Sequence, residues 1–243
     1  MPERVVGILG GMGPEATVDF FAKVIARTPA KRDQDHLRII IDNNPKIPDR
    51  TEAILTKDKS LFPMLVETAK NLEMLVETAK NLEKAGADFI VIPCNTVHYF
   101  YEDLVREISI PILHMIREVT HAVKASLPEC QRVGLLATSG TITANLYQTE
   151  FQKIGVEVIV PDSEYQTKVM DAIQAIKSGG GKDRAREELT KVADLLIQQG
   201  KAQALILGCT DIPVVIRTND FSVPLFDSNL VLARATVKFA KLQ

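Results

Sequence analysis

Short apolar runs alternate along the chain with longer amphipathic segments, and that alternation leaves few folds open. The runs are RVVGIL (4–9), LRIII (37–41), DFIVI (88–92), IPIL (110–113), RVGLL (132–136), VEVIV (156–160), ALIL (204–207) and VPLF (223–226). The segments between them predict helices at about 14–27, 63–85, 97–108, 115–126, 141–152, 164–177, 183–199 and 228–241. Gly86, Gly155 and Gly200 each stand just past such a segment, where a glycine ends a helix without a Cβ penalty. Strands separated by helices mean βα units and mainly parallel sheets covered on both faces.

The chain also repeats itself loosely. RVVGILGGMGPEAT (4–17) resembles RVGLLATSGTITA (132–144), DFIVIPCNT (88–96) resembles ALILGCTD (204–211), and IPILHMIRE (110–118) resembles VPLFDSNLV (223–231). Each half opens with a strand and a small-residue turn and later offers a strand ending in a cysteine. Two similar α/β domains facing each other bring both cysteines to one cleft, beyond the carboxyl ends of the strands where open α/β sheets bind ligands.

One segment departs from this plan. Residues 64–73 and 74–83 are the same decapeptide, MLVETAKNLE. From Gly7 to Cys94 is 87 positions and from Gly134 to Cys209 is 75, so removing ten residues nearly equalises the halves. The copy reads as a tandem duplication inserted into an older symmetric plan. Ten residues are about 2.8 helical turns, yet Leu65, Leu72, Leu75, Ala79 and Leu82 keep one apolar stripe, with Thr68 its weak point. A single helix from about Pro63 to Ala85 is expected, its first copy reaching past the sheet by up to about 15 Å.

Composition limits the function classes. Hydrophobic residues make up 46% and charged residues 25%, enough for a proper core. A net charge of −2 gives no electrostatic case for nucleic acid or an anionic membrane. No apolar run approaches the roughly 18–20 residues of a membrane span. The start, MPERVVGILGG, does not read as a signal peptide. Three cysteines, an odd number, fit reduced thiols and a cytoplasmic location.

The chemistry points to VIPCNT (91–96) and GCTD (208–211). Cys94 lies just past an apolar run rather than inside it, and so does Cys209. As small hydrophobes at strand ends they need no function; at matching places in two similar halves they suggest one. A thiol on each side of a cleft suits inversion of a carbon centre, one sulfur removing a proton and the other delivering one. A free thiol has a pKa of about 8.5, lowered near cations or helix N-termini, so thiolate and thiol coexist near neutral pH. Backbone N–H groups at the start of the helix after each cysteine face the anionic intermediate. Arg50, in a Pro-rich polar loop, has the fork that grips a carboxylate.

GILGGMGP, IPDRT, IPCNT and GCTD, in that order, resemble the aspartate/glutamate racemase family, and specifically its aspartate racemase branch. The resemblance covers essentially the whole chain, with the ten-residue excess at 64–83. It implies two α/β domains with mainly parallel four-stranded sheets, related by a pseudo-twofold axis, with the active site in the cleft between them. The C-terminal helix returns to the first domain, giving residues 1–114 plus 224–243 and residues 115–223. It implies racemisation of L- and D-aspartate, or of glutamate one methylene longer, without pyridoxal phosphate or any other cofactor or metal. Cys94 and Cys209 become the acid/base pair. Arg50 and Lys177 hold the side-chain carboxylate, though a lysine ending a helix is favoured there anyway. Met12, Asn95, Thr96, Thr138, Ser139, Thr141 and Thr210 surround the α-carboxylate and amino group, and Thr141 equally fits a helix cap. Asp211 orients a thiol or the substrate amine. A homodimer is also implied.

Other readings rest on single features. GMGPEA (11–16) with Asp42 outlines a dinucleotide fingerprint, though Pro14 stiffens its turn. Cys94 and His98, four apart, with Cys130, sketch a weak zinc site. Relatives with strand-end cysteines isomerise maleate, decarboxylate malonate or racemise hydantoins. A binding protein for acidic amino acids that has lost catalysis is a further class. His36, His98, His114 and His121 are scattered; His98 stands near enough to Cys94 in sequence to influence it, though a solvated helix face is expected for it, and Cys130 has no assigned role.

Overall fold

The computed structural model describes residues 3–55, 61–217 and 220–241, with 61–67 described by their backbone alone. All eight apolar runs form strands: β1 (Val6–Gly10), β2 (Ile39–Asn43), β3 (Phe89–Val91), β4 (Ile112–Leu113), β5 (Arg132–Ala137), β6 (Glu157–Ile159), β7 (Ala204–Gly208) and β8 (Leu225–Asp227). They make two four-stranded sheets of the same order, β2-β1-β3-β4 and β6-β5-β7-β8. Every pairing is parallel. The inner strands β1, β3 and β7 are buried along their whole length, as near-continuous apolar runs in doubly covered parallel sheets should be.

The halves pack alike at their centres. A Cβ on Gly7 of β1 would stand 2.9 Å from the Ala87 Cβ and 3.3 Å from the Leu82 Cβ. On Gly134 of β5 it would stand 3.3 Å from the Ala202 Cβ and 3.1 Å from the Leu196 Cβ. In each half a glycine lets the end of the last helix before the central strand close onto the sheet.

The helices are α1 (Pro14–Arg27), α2 (Arg50–Leu55), α3 (Leu61–Lys84), α4 (Tyr101–Glu107), α5 (Met115–Ser126), α6 (Ser139–Thr143), α7 (Leu146–Gln152), α8 (Ser163–Lys177), α9 (Lys182–Gln198) and α10 (Ser228–Lys241). Three differ from expectation. α2 was not foreseen; it forms because the Asp49 Oδ1 accepts from the N–H groups of Thr51 and Glu52 at 2.7 and 3.0 Å, capping a helix where a loop was expected. The segment 141–152 breaks in two at Asn145, which has φ 52°. A 3-10 helix, Thr96–Phe100, precedes α4.

The duplicated segment is one continuous helix, α3, of 24 residues. Leu75, Ala79 and Leu82 are buried on the stripe and Leu72 packs at its edge; Leu65 lies outside the side chains described. Ten residues turn a helix through roughly 1000°, about 80° short of three turns. Identical residues of the two copies therefore face differently: Asn71 is buried and Asn81 exposed.

The last helix of each half crosses over. α10 packs with α1 on the first sheet, burying Leu232, Ala233 and Val237 against Val6, Ile8 and Phe20. α5 lies on the second sheet, burying Ile116, Val119 and Val123 against Val133 and Leu135. β8 stays paired with β7, so residues 225–227 go with the second sheet, although the expected boundary gave them to the first. Among the described residues no helix is long and apolar enough to cross a membrane.

Candidate active site

In the strand order 2-1-3-4 the chain leaves β1 in both directions, and a crevice opens at the carboxyl ends beside the central pair. Cys94 comes three residues after β3, and Cys209 directly follows β7. Both thiols are free and only 6% exposed. They line one cavity of about 20 Å³, room for about one water. Of the residues singled out in the sequence, Met12, Arg50, Cys94, Asn95, Thr96, Thr138, Lys177, Cys209, Thr210 and Asp211 line it. Ser139 and Thr141 do not. Asp49, Thr51 and Gly208 complete the wall.

Cys209 lies beside a carboxylate. Its Sγ donates to the Asp211 Oδ2 at 3.6 Å, and the Lys177 Nζ approaches that oxygen at 3.8 Å. Burial, and then the Asp211 charge, push the Cys209 thiol well above its ordinary range. Burial raises Asp211 as well, against the pull of Lys177. Burial opposes the Lys177 ammonium, but the charges of Cys209, Asp211 and Cys94 outweigh it and raise its pKa. In this arrangement Cys209 rests as a thiol.

Arg50 opens α2 rather than lying in a loop. It is 8% exposed, and its Nη1 donates to the carbonyls of Ile47 and Pro48 at 3.2 and 2.7 Å. Its Nε is buried without a hydrogen-bond partner among the described residues. A helix N-terminus disfavours a cation, so local helix energetics do not account for this arginine. Lys177 ends α8, where the dipole favours it.

Hydroxyls and amides tie the halves together. The Thr96, Thr138 and Thr141 hydroxyls stand 2.9–3.0 Å from one another. Thr138, not Thr141, caps α6, accepting from the Thr141 N–H at 3.2 Å. The Tyr147 hydroxyl donates to the Asn95 Oδ1 at 2.6 Å, the Asn95 Nδ2 to the Ser228 Oγ at 3.0 Å, and the Ser228 hydroxyl to the Leu207 carbonyl at 2.8 Å. This buried chain runs from beside Cys94 to two residues before Cys209. The Thr210 hydroxyl reaches the Pro93 carbonyl at 3.4 Å, and the Ser139 Oγ accepts from Gln166 at 3.2 Å.

Sequence reasoning missed Asp49 and Thr51, whose signal was an aspartate in a capping position. It missed Tyr147 and Ser228, which only the fold brings to Asn95. His98 is not on a solvated face: it is 5% exposed and contacts the Cys94 carbonyl. Cys130 precedes β5, at the opposite end of the strands from Cys94 and Cys209. Gly11, of the dinucleotide-like turn, has φ 95°, and a Cβ there would lie 2.3 Å from the Asn44 backbone. Close packing of two chain segments therefore accounts for that glycine.

Paired parallel α/β halves whose strand ends share one polar cavity have the architecture of an α/β enzyme. More particularly, residues 9–236 match the model of the Asp/Glu/hydantoin racemase family, and the chain belongs to that family and is an isomerase. It is 32% identical to the aspartate racemase of Picrophilus torridus, with a TM-score of 0.82 over 98% of this chain and 94% of that one. An aspartate racemase homologue from Pyrococcus horikoshii is 26% identical, with a TM-score of 0.77 over 98% of this chain and all of the other. The broad-specificity amino-acid racemase of Bacillus subtilis (strain 168) is 30% identical over 96% of both chains.

Proposed function

We propose that this protein interconverts L- and D-aspartate, with glutamate the next candidate, by two-base proton transfer between Cys94 and Cys209. The observation that carries this is two thiols, one from each half, lining one cavity with the buried Arg50 guanidinium. A thiolate takes the α-proton from one face and the opposite thiol returns one to the other. Cys209, held protonated, serves as the acid. That step leaves Cys94 a thiol and Cys209 a thiolate, the pair the reverse direction needs, and Asp211, 3.6 Å from the Cys209 Sγ, relays the proton that resets Cys209. Arg50 and Lys177 take the side-chain carboxylate. The hydroxyls of Thr96, Thr138 and Thr210 turn from each other and from Pro93 to the α-carboxylate and amino group, beside Met12. Asn95, Ser139 and Thr141 support them from behind.

The cavity is too small for an amino acid, so the halves part to admit one and close to exclude water. We take the two bodies that part as residues 3–114 with 228–241, and 115–227. A cytoplasmic homodimer completes the reading.

The test is proton NMR of L- and then D-aspartate with the protein in D2O, no cofactor added. Loss of the α-proton from both enantiomers, with the mirror form appearing on a chiral column, is expected. Binding without exchange from either leaves a binding protein and overturns the reading.

A second observation favours a wider substrate range. A pocket of about 390 Å³ adjoins the cavity, sharing Asp49, Thr51, Thr138 and Lys177 and walled by Leu55, Met170 and Ile173. An apolar side chain fits there, in keeping with the broad specificity of the Bacillus relative. Racemisation of leucine or methionine at rates near that of aspartate decides for it.

A further inference from the structure

The backbone of Cys94 is held at both polar groups. Its N–H donates to the Ile92 carbonyl at 2.8 Å, a tight turn around Pro93. Its carbonyl stands 2.9 Å from the His98 Nδ1. The other ring nitrogen of His98, Nε2, accepts from the Met115 N–H at 3.0 Å. A neutral imidazole that accepts at Nε2 carries its proton on Nδ1, so the ring donates to Cys94. Met115 opens α5, and its N–H is one of those a helix leaves without an internal partner. His98 thus ties the end of the Cys94 loop to the first turn of the helix that crosses to the second sheet.

The second half achieves the same end differently. CNTVH (94–98) aligns with CTDIP (209–213), and Val97 and Ile212 are both fully buried. The Cys209 carbonyl accepts from the Ile212 N–H at 3.2 Å, a backbone turn. Pro213 stands where His98 does and offers no side-chain donor. His98 therefore does for Cys94 what the main chain does for Cys209.

We propose that His98 is a positioning residue for Cys94: its Nδ1–H holds the Cys94 carbonyl and so sets the direction of the thiol. The ring does not line the cavity and touches no substrate. Burial lowers its pKa to about 4, so it stays neutral at ordinary pH and keeps this tautomer. The proposal rests on the reading of Cys94 as an acid/base.

Single-cysteine variants isolate the effect. With Cys209→Ala, Cys94 alone exchanges the α-proton of one aspartate enantiomer in D2O; with Cys94→Ala, Cys209 alone exchanges that of the other. His98→Gln places its amide near Nε2 and keeps the Met115 contact while losing Cys94; His98→Asn keeps a donor near Nδ1. The Gln variant should slow exchange by Cys94 roughly 10- to 100-fold, the cost of a misplaced reacting group, and leave exchange by Cys209 within about twofold. The Asn variant should recover most of the loss. Equal losses in both backgrounds, or equal behaviour of Gln and Asn, overturn the proposal and leave a core histidine.

A second readout does not depend on racemisation. Iodoacetamide labelling followed by peptide mass spectrometry gives the Cys94-to-Cys209 alkylation ratio in the intact chain. That ratio should change about fivefold or more in the Gln variant and little in the Asn variant. An unchanged ratio overturns the proposal even if the wild type racemises. A changed ratio in a protein that exchanges no α-proton supports the clamp while overturning the racemase reading.

Discussion

Cys94 and Cys209 occupy the same place in the same topology, yet different kinds of group surround them. The position two residues on is Thr96 in the first half and Asp211 in the second; four residues on, it is His98 and Pro213. The first thiol has hydroxyls and a neutral imidazole near it, the second a carboxylate at 3.6 Å with an ammonium behind. The pseudo-twofold thus repeats the scaffold and not the electrostatics. A racemase has equal energies on its two sides, because L and D forms are mirror images. The comparison teaches that mirror-image products need two facing groups and not two identical ones.

The hardest test of the comparison is to remove each thiol. Cys94→Ala and Cys209→Ala should each reduce racemisation by about 10³-fold or more, since each removes an acid/base from both directions. Full activity in either variant would exclude the two-base scheme. Asp211→Asn separates the halves more finely. It removes the charge that helps raise Cys209, so the pH limb belonging to Cys209 should move to lower pH. Up to about 10²-fold should be lost from kcat, more in one direction than the other. The ratio kcat/KM must fall equally both ways, because the equilibrium constant of a racemisation is one. Equal kcat losses in both directions would place Asp211 outside the proton path.

The cations also differ between halves. Arg50 is buried at a helix N-terminus, whereas Lys177 is about one-third exposed at a helix C-terminus. Arg50→Ala should weaken substrate by about 1.5–3 kcal/mol, roughly 10- to 100-fold in KM. Lys177→Ala should cost less, screened by solvent. An unchanged KM for Arg50→Ala removes that arginine from the site.

How much of this was legible in sequence follows from the range of each interaction. Eight strands were readable because an apolar run of strand length is a local signal, and both cysteines because they stand just past such runs. α2 was not, because its only signal was Asp49 as a cap, and the prolines beside it argue for a loop. The break at Asn145 depends on one left-handed residue. Tyr147 and Ser228 were illegible, being 52 and 133 residues from Asn95. His98 was misplaced because its burial exists only once α5 folds back over it.

Acid should strike the halves unequally, since the two buried histidines with lowered pKa values, His98 and His114, both belong to the first. Burial lowers His98 to about 4; burial, together with the neighbouring His98 and Arg117, lowers His114 to about 2. The unfolded imidazoles, near 6.5, bind protons that the folded ones refuse. Their contribution is therefore complete above about pH 6.5 and is lost as pH falls toward 4 for His98 and on toward 2 for His114, by up to about 1.4 kcal/mol per pH unit for each ring. Urea unfolding at pH 7 and pH 5 should show this slope, roughly halved in His98→Asn. A slope unaltered by that substitution means the ring titrates normally.

The mildest test concerns a place where the scaffolds themselves differ in length. α3 has 24 residues and its counterpart α9 has 17, and the excess is a repeated decapeptide. The contacts that position β3 come from the second copy: Leu75, Ala79 and Leu82 pack on the sheet, and Leu82 meets Gly7 as Leu196 meets Gly134. Deleting residues 64–73 leaves that copy, its glycine stop and its register with the strand unchanged. The shortened helix keeps about four turns, close to α9. Racemisation should stay within about twofold, because none of the described side chains of 64–73 lines the cavity. Stability should change by about 1 kcal/mol, the scale of typical single-site changes, through loss of the buried Asn71 and the half-buried Leu72. A collapse of activity with the fold intact by circular dichroism would show that the added turns reach the site, and the two halves would then differ in mechanism as well as in length.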